Sequence, residues 1–232
     1  MTKIETNLQG IIFDFNGVLL FDADLQTTSW QGIAKALRGH EMSGEELDVH
    51  MHGRPNSYVL SYLAGRPIVG EELLELIQAK ESLYRELCLQ NPQTFVLSPG
   101  AQELLDALVQ QGIPSTIATS SEKTNLDFFV QHLKLDRWFN ISDIVYDNGV
   151  RPGKPAPDVY LEAARKIRVP PKDCIVVEDA LSGLQAARSA GIGYIIAVGP
   201  SAAHPKLLAC EGVAVVVESL VNFPRERLLR QS

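Results

Sequence analysis

The sequence predicts an α/β fold: a doubly wound parallel sheet with a small α-helical cap domain inserted after its first strand. Three observations carry this reading. Gln9–Phe15 (QGIIFDF) is a short apolar run closing on an acid, as a buried strand does. Helical periodicity then runs from Asp24 to Leu89 with no strand pattern between. From Pro99 onward helices and strands alternate, which implies parallel strands joined by helices that cover both faces. At 232 residues the chain is long for one α/β domain and short for two. The expected division is a core of residues 1–19 and 93–232 around a cap of residues 20–92.

Taken in order, the first strand is followed by a helix from Asp24 to Leu37, with Leu25, Trp30, Ile33, Ala34 and Leu37 near helical spacing. Ser43-Gly-Glu-Glu46 has the form of a capping box and opens a second helix. Asn56–Leu63 reads as a third. Glu71–Leu89 reads as a long fourth, with Leu73, Leu74, Ile77, Leu83, Tyr84 and Leu87 as its core stripe. Past the return at Leu89–Pro99, helix Ala101–Gln111 precedes strand Ser115–Thr119, and helix Thr124–Leu133 precedes strand Ser142–Tyr146. Helix Pro157–Ile167 leads to strand Cys174–Val177, and helix Leu181–Ala190 to strand Gly193–Val198. Helix His204–Cys210 and strand Val213–Val217 complete the alternation.

Composition narrows the classes. Apolar residues are 45% and charged residues 21%, an ordinary globular balance that excludes collagen, coiled coil and disorder. No apolar run approaches membrane-spanning length, so no membrane partner is expected. The net charge of −7 comes without a Lys/Arg cluster, which argues against nucleic acid. The 3 cysteines (Cys88, Cys174, Cys210) show no metal-ligand spacing and read as reduced thiols. MTKIETNLQG lacks the basic-then-apolar pattern of a signal peptide, so a cytoplasmic location is expected.

Ligands of open parallel sheets bind beyond the carboxyl ends of the strands, and polar residues collect at four such ends. Asp14-Phe15-Asn16-Gly17 leaves the first strand; Asp14 there is either a held functional acid or a structural one. Thr119-Ser120-Ser121 closes the second, where hydroxyls and N–H groups bind an anion or simply cap a helix. Lys154, before Pro155 and Pro157, is a fixed cation or part of a plain turn. Glu178-Asp179 ends the fourth strand; adjacent buried acids repel unless a cation or donors offset them, which favours a divalent metal.

Together, in order and at successive strand ends, these motifs are specific. IIFDFNGVL, IATSS, RPGKPAPDVYLEAARKI and CIVVEDALSGLQAARSAG resemble the haloacid dehalogenase superfamily, in its phosphatase and β-phosphoglucomutase-like branch with a helical cap after the first strand. The resemblance implies that Asp14 is the nucleophile that forms an aspartyl-phosphate. It implies Mg²⁺ held by Asp14, by the Asn16 main-chain carbonyl, and by Asp179 with Glu178 directly or through water. Thr119 and Ser120 would hold the phosphoryl oxygens, and Lys154 would neutralise nucleophile and phosphate together. The implied partner is a small phosphorylated metabolite, turned over by a monomer or weak homodimer. The cap would close over the site, with Gly17 and Leu20–Asp22 near one hinge.

The departure from that pattern is Asn16. Phosphatases and mutases of the branch carry a second aspartate there as general acid and base, and an amide cannot move that proton. Reduced activity is expected. An engineered trap, a natural variant using another acid, and a phosphometabolite-binding protein with little turnover all fit. Asp22 and Asp24 are the nearest substitutes by sequence, although acids at a helix start also serve as caps or dipole partners. Dehalogenases also lack the second aspartate, but Glu178-Asp179 argues against that chemistry. Phosphonate-cleaving members place a lysine three residues after a cap glycine; with Gly53 as that glycine, Asn56 stands there. The mutases have an arginine near the same place and a histidine where Thr27 aligns, and both are missing, which weakens the sugar phosphomutase alternative. Arg54 lies close enough in sequence to meet a substrate phosphate or carboxylate, or is a solvated arginine. His50 and His52 are expected at the surface, Cys174 in packing, and Trp30 and Trp138 in the core or an interface.

Overall fold

The computed structural model describes residues 8–51 and 53–229. Its 6 strands are β1 (Gly10–Phe13), β2 (Ser115–Glu122), β3 (Val145–Asp147), β4 (Cys174–Glu178), β5 (Tyr194–Val198) and β6 (Val213–Val217). All neighbours pair parallel, in the order β3-β2-β1-β4-β5-β6. The order reverses between β1 and β4, where Phe13 stands level with Val177, and a crevice opens beyond their carboxyl ends.

Alternation along β1 builds both faces. Ile11 and Phe13 join a cluster with α5 (Ala101–Gln110) and α6 (Lys123–Leu133), through Leu104, Leu105, Leu126 and Phe129. Ile12 points the other way, to Val159, Tyr160 and Ala163 of α7 (Asp158–Lys166) and Leu184 of α8 (Leu181–Ser189). The short α9 (His204–Leu208) covers the same face near β6 through Leu207.

The inserted helices α1 (Ala23–Arg38), α2 (Gly44–Glu46), α3 (Asn56–Ala64) and α4 (Gly70–Gln90) have their own apolar cluster around Trp30, Ala34, Met51, Val59, Leu60 and Leu63. Both linkers to it run side by side: Leu20 pairs antiparallel with Leu97, and Ser98 N–H donates to Leu19 C=O at 2.8 Å. The Ser43/Glu46 capping box forms as the sequence predicts, but the α2 turn passes at once into a π-helical turn over Leu47–Met51.

Two expectations are corrected. Ile141–Asp143 is a 3₁₀ turn rather than strand, because the Asn140 side chain accepts from the Ser142 N–H and hydroxyl, so β3 begins at Val145. On α4 the stripe differs: Leu74 and Leu83 are exposed, while Lys80, Glu81, Tyr84 and Cys88 are the buried residues. That face of α4 turns toward the crevice, so it has to be polar.

Candidate active site

Asp14 follows β1 and its N–H donates to Val177 C=O of β4 at 2.9 Å, which anchors the acid at the switch point. Thr119 lies within β2, which continues past the expected end at Thr119 to Glu122. Lys154 comes from the loop between β3 and α7, and Glu178 is the last residue of β4. Four connections thus deliver their polar residues to one place.

There the Lys154 ammonium, buried, donates to Asp14 Oδ1 at 2.7 Å and to Glu178 Oε1. Glu178 is fully buried, and all its acceptor directions are in use. Oε1 also accepts from the Tyr160 hydroxyl at 2.9 Å, and Oε2 accepts from the Asp179 and Ala180 N–H groups at 2.8 Å each. Burial pushes the Asp14 carboxyl up to about 7, against the pull of Lys154 and with repulsion from Glu178 adding to the rise. Burial disfavours the Lys154 charge, but Asp14 and Glu178 outweigh it and hold the ammonium above the ordinary lysine range. Burial, then Glu178 and Asp14, push Asp179 well above the carboxylate range.

Asp14, Glu178 and Asp179 each place a carboxylate oxygen within 4.8 Å of the others. Against three acids the protein sets one ammonium; Asp14 and Asp179 are raised by burial first, with repulsion from the neighbouring carboxylates adding to it. Oxygen donors with excess negative charge fit a hard divalent cation such as Mg²⁺. Because Glu178 is saturated by Lys154, Tyr160 and two N–H groups, the oxygens left for such an ion belong to Asp14 and Asp179. Gly17 keeps them accessible: at φ +82° it turns the chain sharply, and a Cβ there would stand 2.1 Å from Asp179 Oδ2.

Asn16 is held on every side. Its Oδ1 accepts from Ser121 Oγ at 2.9 Å, and its Nδ2 donates to Asp22 Oδ2 at 2.7 Å and to the Tyr84 hydroxyl at 3.3 Å. Tyr84 in turn donates to Asp22 Oδ2 at 2.5 Å, and Gln26 Nε2 donates to it at 3.1 Å. Asp22 is therefore in the site, buried, with Oδ1 lacking any partner. Burial raises its pKa, partly opposed by the three donors. Asp24, the other acid considered, is exposed on the first turn of α1.

The residues expected to hold phosphate are also placed. Thr119 is buried, and its Oγ1 accepts from Ser121 N–H at 3.0 Å, leaving its own proton to donate. Ser120 Oγ donates to Gly53 C=O at 3.1 Å, which docks the inserted segment on the loop at Ser120. Gly53 has φ +69°, and a Cβ there would meet Ser182 Oγ at 2.6 Å and Ala180 Cβ at 2.9 Å. Next to it, Arg54 lines the same small cavity, of about 90 Å³, as Asp14, Asn16 and Thr119. Asn56 also lines it, with Nδ2 donating to Glu81 Oε1 at 2.7 Å.

Sequence reasoning missed several residues here. Ser121 holds Asn16, Tyr160 holds Glu178, and Tyr84 was read as core alone. Lys80 and Glu81 line the cavity as a pair 3.1 Å apart, with Gln26 Oε1 accepting from Lys80 Nζ at 2.8 Å. Two charged residues in the middle of an apolar helical stripe were the available signal. Gln26, rather than Thr27, faces the cavity from α1, beside Ala23 and Trp30. Trp30 is both cap core and cavity wall, and Trp138 is buried with its Nε1 donating to Asp106 Oδ1 at 2.6 Å. His50 stacks on Tyr62 with centroids 3.9 Å apart, within the cap; His52 lies outside the described residues. Cys174 is buried packing. A larger cavity, about 660 Å³, adjoins at Gly17, Asp22 and Asp179 and runs to Val198–Pro200, but the hydroxyls and Lys154 do not face it.

A sheet of this order, with carboxylates and a buried lysine at its switch point beneath a helical cap, defines a capped α/β hydrolase. The model of the haloacid dehalogenase-like hydrolases matches residues 8–191, and the chain belongs to that family. A phosphorylated carbohydrates phosphatase of Thermotoga maritima is 28% identical over 95% of this chain and 100% of its own. A β-phosphoglucomutase of Bacillus subtilis is 29% identical over 95% of this chain and 94% of its own. Among solved structures, a HAD hydrolase of family IA, variant 3, from Entamoeba histolytica superposes with a TM-score of 0.84 at 34% identity, covering 95% of this chain and 97% of that one. No helix among the described residues is long and apolar enough to cross a membrane.

Proposed function

We propose that the protein is a Mg²⁺-dependent phosphohydrolase of a small phosphorylated metabolite, working as a cytoplasmic monomer or weak homodimer through an aspartyl-phosphate on Asp14. The observation that carries this reading is the Asp14–Lys154–Glu178 triad. Lys154 Nζ touches one Asp14 oxygen, and Asp14 lines the cavity that Thr119 and Ser120 also border. In this reading an Asp14 oxygen bonds to phosphorus as the ester oxygen departs with its electron pair. Water then displaces phosphate from the aspartyl ester and restores the carboxylate. Thr119 and the Ser120 N–H hold the phosphoryl oxygens, while Lys154 offsets their charge and that of Asp14. Asp14, the Asn16 carbonyl and Asp179 would hold Mg²⁺, which would supply further neutralisation of the phosphoryl charge.

Asn16 cannot protonate the leaving oxygen, so the alcohol takes its proton less efficiently and turnover is low. The saturated hydrogen bonding of the Asn16 amide also favours a second reading, a phosphometabolite-binding protein whose turnover is incidental. Phosphate release from a panel of phosphorylated metabolites with Mg²⁺ separates the two. Release that disappears in Asp14→Asn supports the hydrolase; binding of panel members with no release from any overturns it.

A further inference from the structure

We propose that the larger cavity beside Gly17 and Asp22 is the leaving-group pocket, and that it takes a hydroxylated, ring-sized, uncharged alcohol in preference to one carrying a second acid group. The inference rests on the phosphohydrolase reading and deepens it. The small cavity lined by Asp14, Thr119 and Ser120 measures about 90 Å³. Pockets that bury a whole small molecule measure about 300–1,000 Å³. The small cavity therefore suits a phosphoryl group, and the rest of the ester has to lie elsewhere. The cavity of about 660 Å³ falls inside that range and shares a wall with the small one, formed by Gly17, Asp22, Ala23 and Asp179. In-line displacement sends the leaving oxygen away from the nucleophile. Asp14 lines the small cavity and not the larger one, whereas Asp22 lines both, so an alcohol that leaves past Asp22 enters the larger space.

The walls of that space decide what fits. Phe21, Leu25, Leu181, Val198 and Leu207 give it apolar sides that suit a ring face. Its charge is mainly negative. Asp24 and Glu218 are exposed there without an ion-pair partner among the described residues, and the cation Lys206 is held by Asp48 at 2.7 Å. A second phosphate or carboxylate in the pocket meets repulsion that nothing offsets, which is selection against acids. The junction adds a requirement of its own. Asp22 Oδ2 accepts from Asn16, Gln26 and Tyr84, whereas Oδ1 is buried with no partner. Such an acceptor is unfavourable until a donor reaches it, and a hydroxyl of the alcohol supplies that donor. Lys206 belongs to α9 of the core and Asp48 to the π-helical turn of the cap, so the pocket has walls from both domains.

The test uses the full chain with Mg²⁺ and the variants Ala203→Phe and Asp24→Lys. The probes are a nucleoside 5′-monophosphate, a pentitol monophosphate and the matching pentitol bisphosphate. Ala203 lines the pocket from the core side and is half-buried, so a phenyl there fills the space meant for the ring. One methylene in an apolar pocket is worth about 10–200-fold, so kcat/KM on the nucleotide, relative to the pentitol monophosphate, should fall at least about tenfold. Wild type should prefer the pentitol monophosphate to its bisphosphate, and Asp24→Lys should narrow that preference about two- to fivefold, the worth of one exposed charge pair. Removing the ribose hydroxyls from the nucleotide should lower its kcat/KM as well. Calorimetric binding of inorganic phosphate reads the phosphoryl site without turnover. An unchanged nucleotide-to-pentitol ratio in Ala203→Phe would overturn the pocket, as would an equal loss of phosphate affinity in that variant. Absence of both binding and turnover of the nucleotide by wild type would overturn it too. A wild-type preference for the bisphosphate would overturn the selection against acids, and equal turnover of the hydroxyl-free nucleotide would overturn the Asp22 contact. If wild type hydrolyses no ester yet binds the nucleotide, and Ala203→Phe weakens that binding, the pocket stands and the hydrolase reading falls.

Discussion

Restoring a carboxylic acid at the Asn16 position is the most informative perturbation. In Asn16→Asp, one new carboxylate oxygen replaces Nδ2 and faces Asp22 Oδ2 across the 2.7 Å now spanned by an N–H···O bond. Two carboxylates this close cannot both ionise, so they hold one proton between them into the neutral range. Tyr84 and Gln26 still donate to Asp22, and Ser121 to the other oxygen of residue 16. That leaves the shared proton available to a departing ester oxygen. General acid–base help is worth about 10²–10⁴-fold, or about 2.7–5.4 kcal/mol of barrier. Sharing with Asp22 takes part of this away, so a gain of at least tenfold in phosphate release is expected, about 1.4 kcal/mol. The variant should also unfold more easily at neutral pH than the parent. The introduced acid has a folded pKa above its unfolded one, so the deficit is absent at low pH and grows as pH rises from about 4 through the folded value. Steady-state phosphate release on a substrate panel, with urea midpoints at pH 5 and 8, measures both. Equal turnover of the two forms, with Mg²⁺ and phosphate binding intact, would refute the reasoning and assign the proton to another group.

Three other outcomes are expected. Asp14→Asn removes the proposed nucleophile and should abolish phosphate release; unchanged turnover by that variant would remove the aspartyl-phosphate route. With Mg²⁺ chelated, thermal stability should fall as pH rises from about 4 to 8. Asp14 moves from 3.8 to about 7 on folding and Asp179 is also raised, so the folded state binds the extra protons and loses their benefit as they leave. Mg²⁺ should flatten that fall, and a flat profile without metal would count against the buried-charge account. Gly53→Ala puts a methyl 2.6 Å from Ser182 Oγ at a left-handed φ; kcat/KM should drop about tenfold or more with the core melting point little changed, since strain and displacement of the cap cost about 1–3 kcal/mol. Wild-type kcat/KM in that variant would mean that the docked position of the cap is not needed.

The core was legible because its signals are local. Each strand is an apolar run that ends on polar residues, and a parallel sheet places those ends along one crevice, so Asp14, Thr119, Lys154 and Glu178 could be grouped before any geometry was known. The cap was legible as helices and much less so as a surface. Whether α4 buries Leu83 or Lys80 depends on what it packs against, and a helix that walls a polar cavity buries its charges and exposes leucines. Likewise the strand expected from Ser142 begins only at Val145, because the Asn140 side chain satisfies the Ser142 N–H and wins over the ladder.

Asn16 shows what contact geometry adds to a motif. As a letter in the first motif it reads as damage to a phosphatase. In the fold its amide has a carboxylate and a tyrosine hydroxyl on the nitrogen side and a serine hydroxyl on the oxygen side. An aspartate in the same pocket would press a carboxylate against Asp22, so Asp22 and Asn16 suit one another as a pair. The Asn16–Asp22 bond, with Tyr84 and Gln26 on the same carboxylate, links the loop after β1 to α1 and α4. Opening the cap must break those bonds or carry the loop with it, which couples cap position to Asn16, whose carbonyl is proposed to hold the metal.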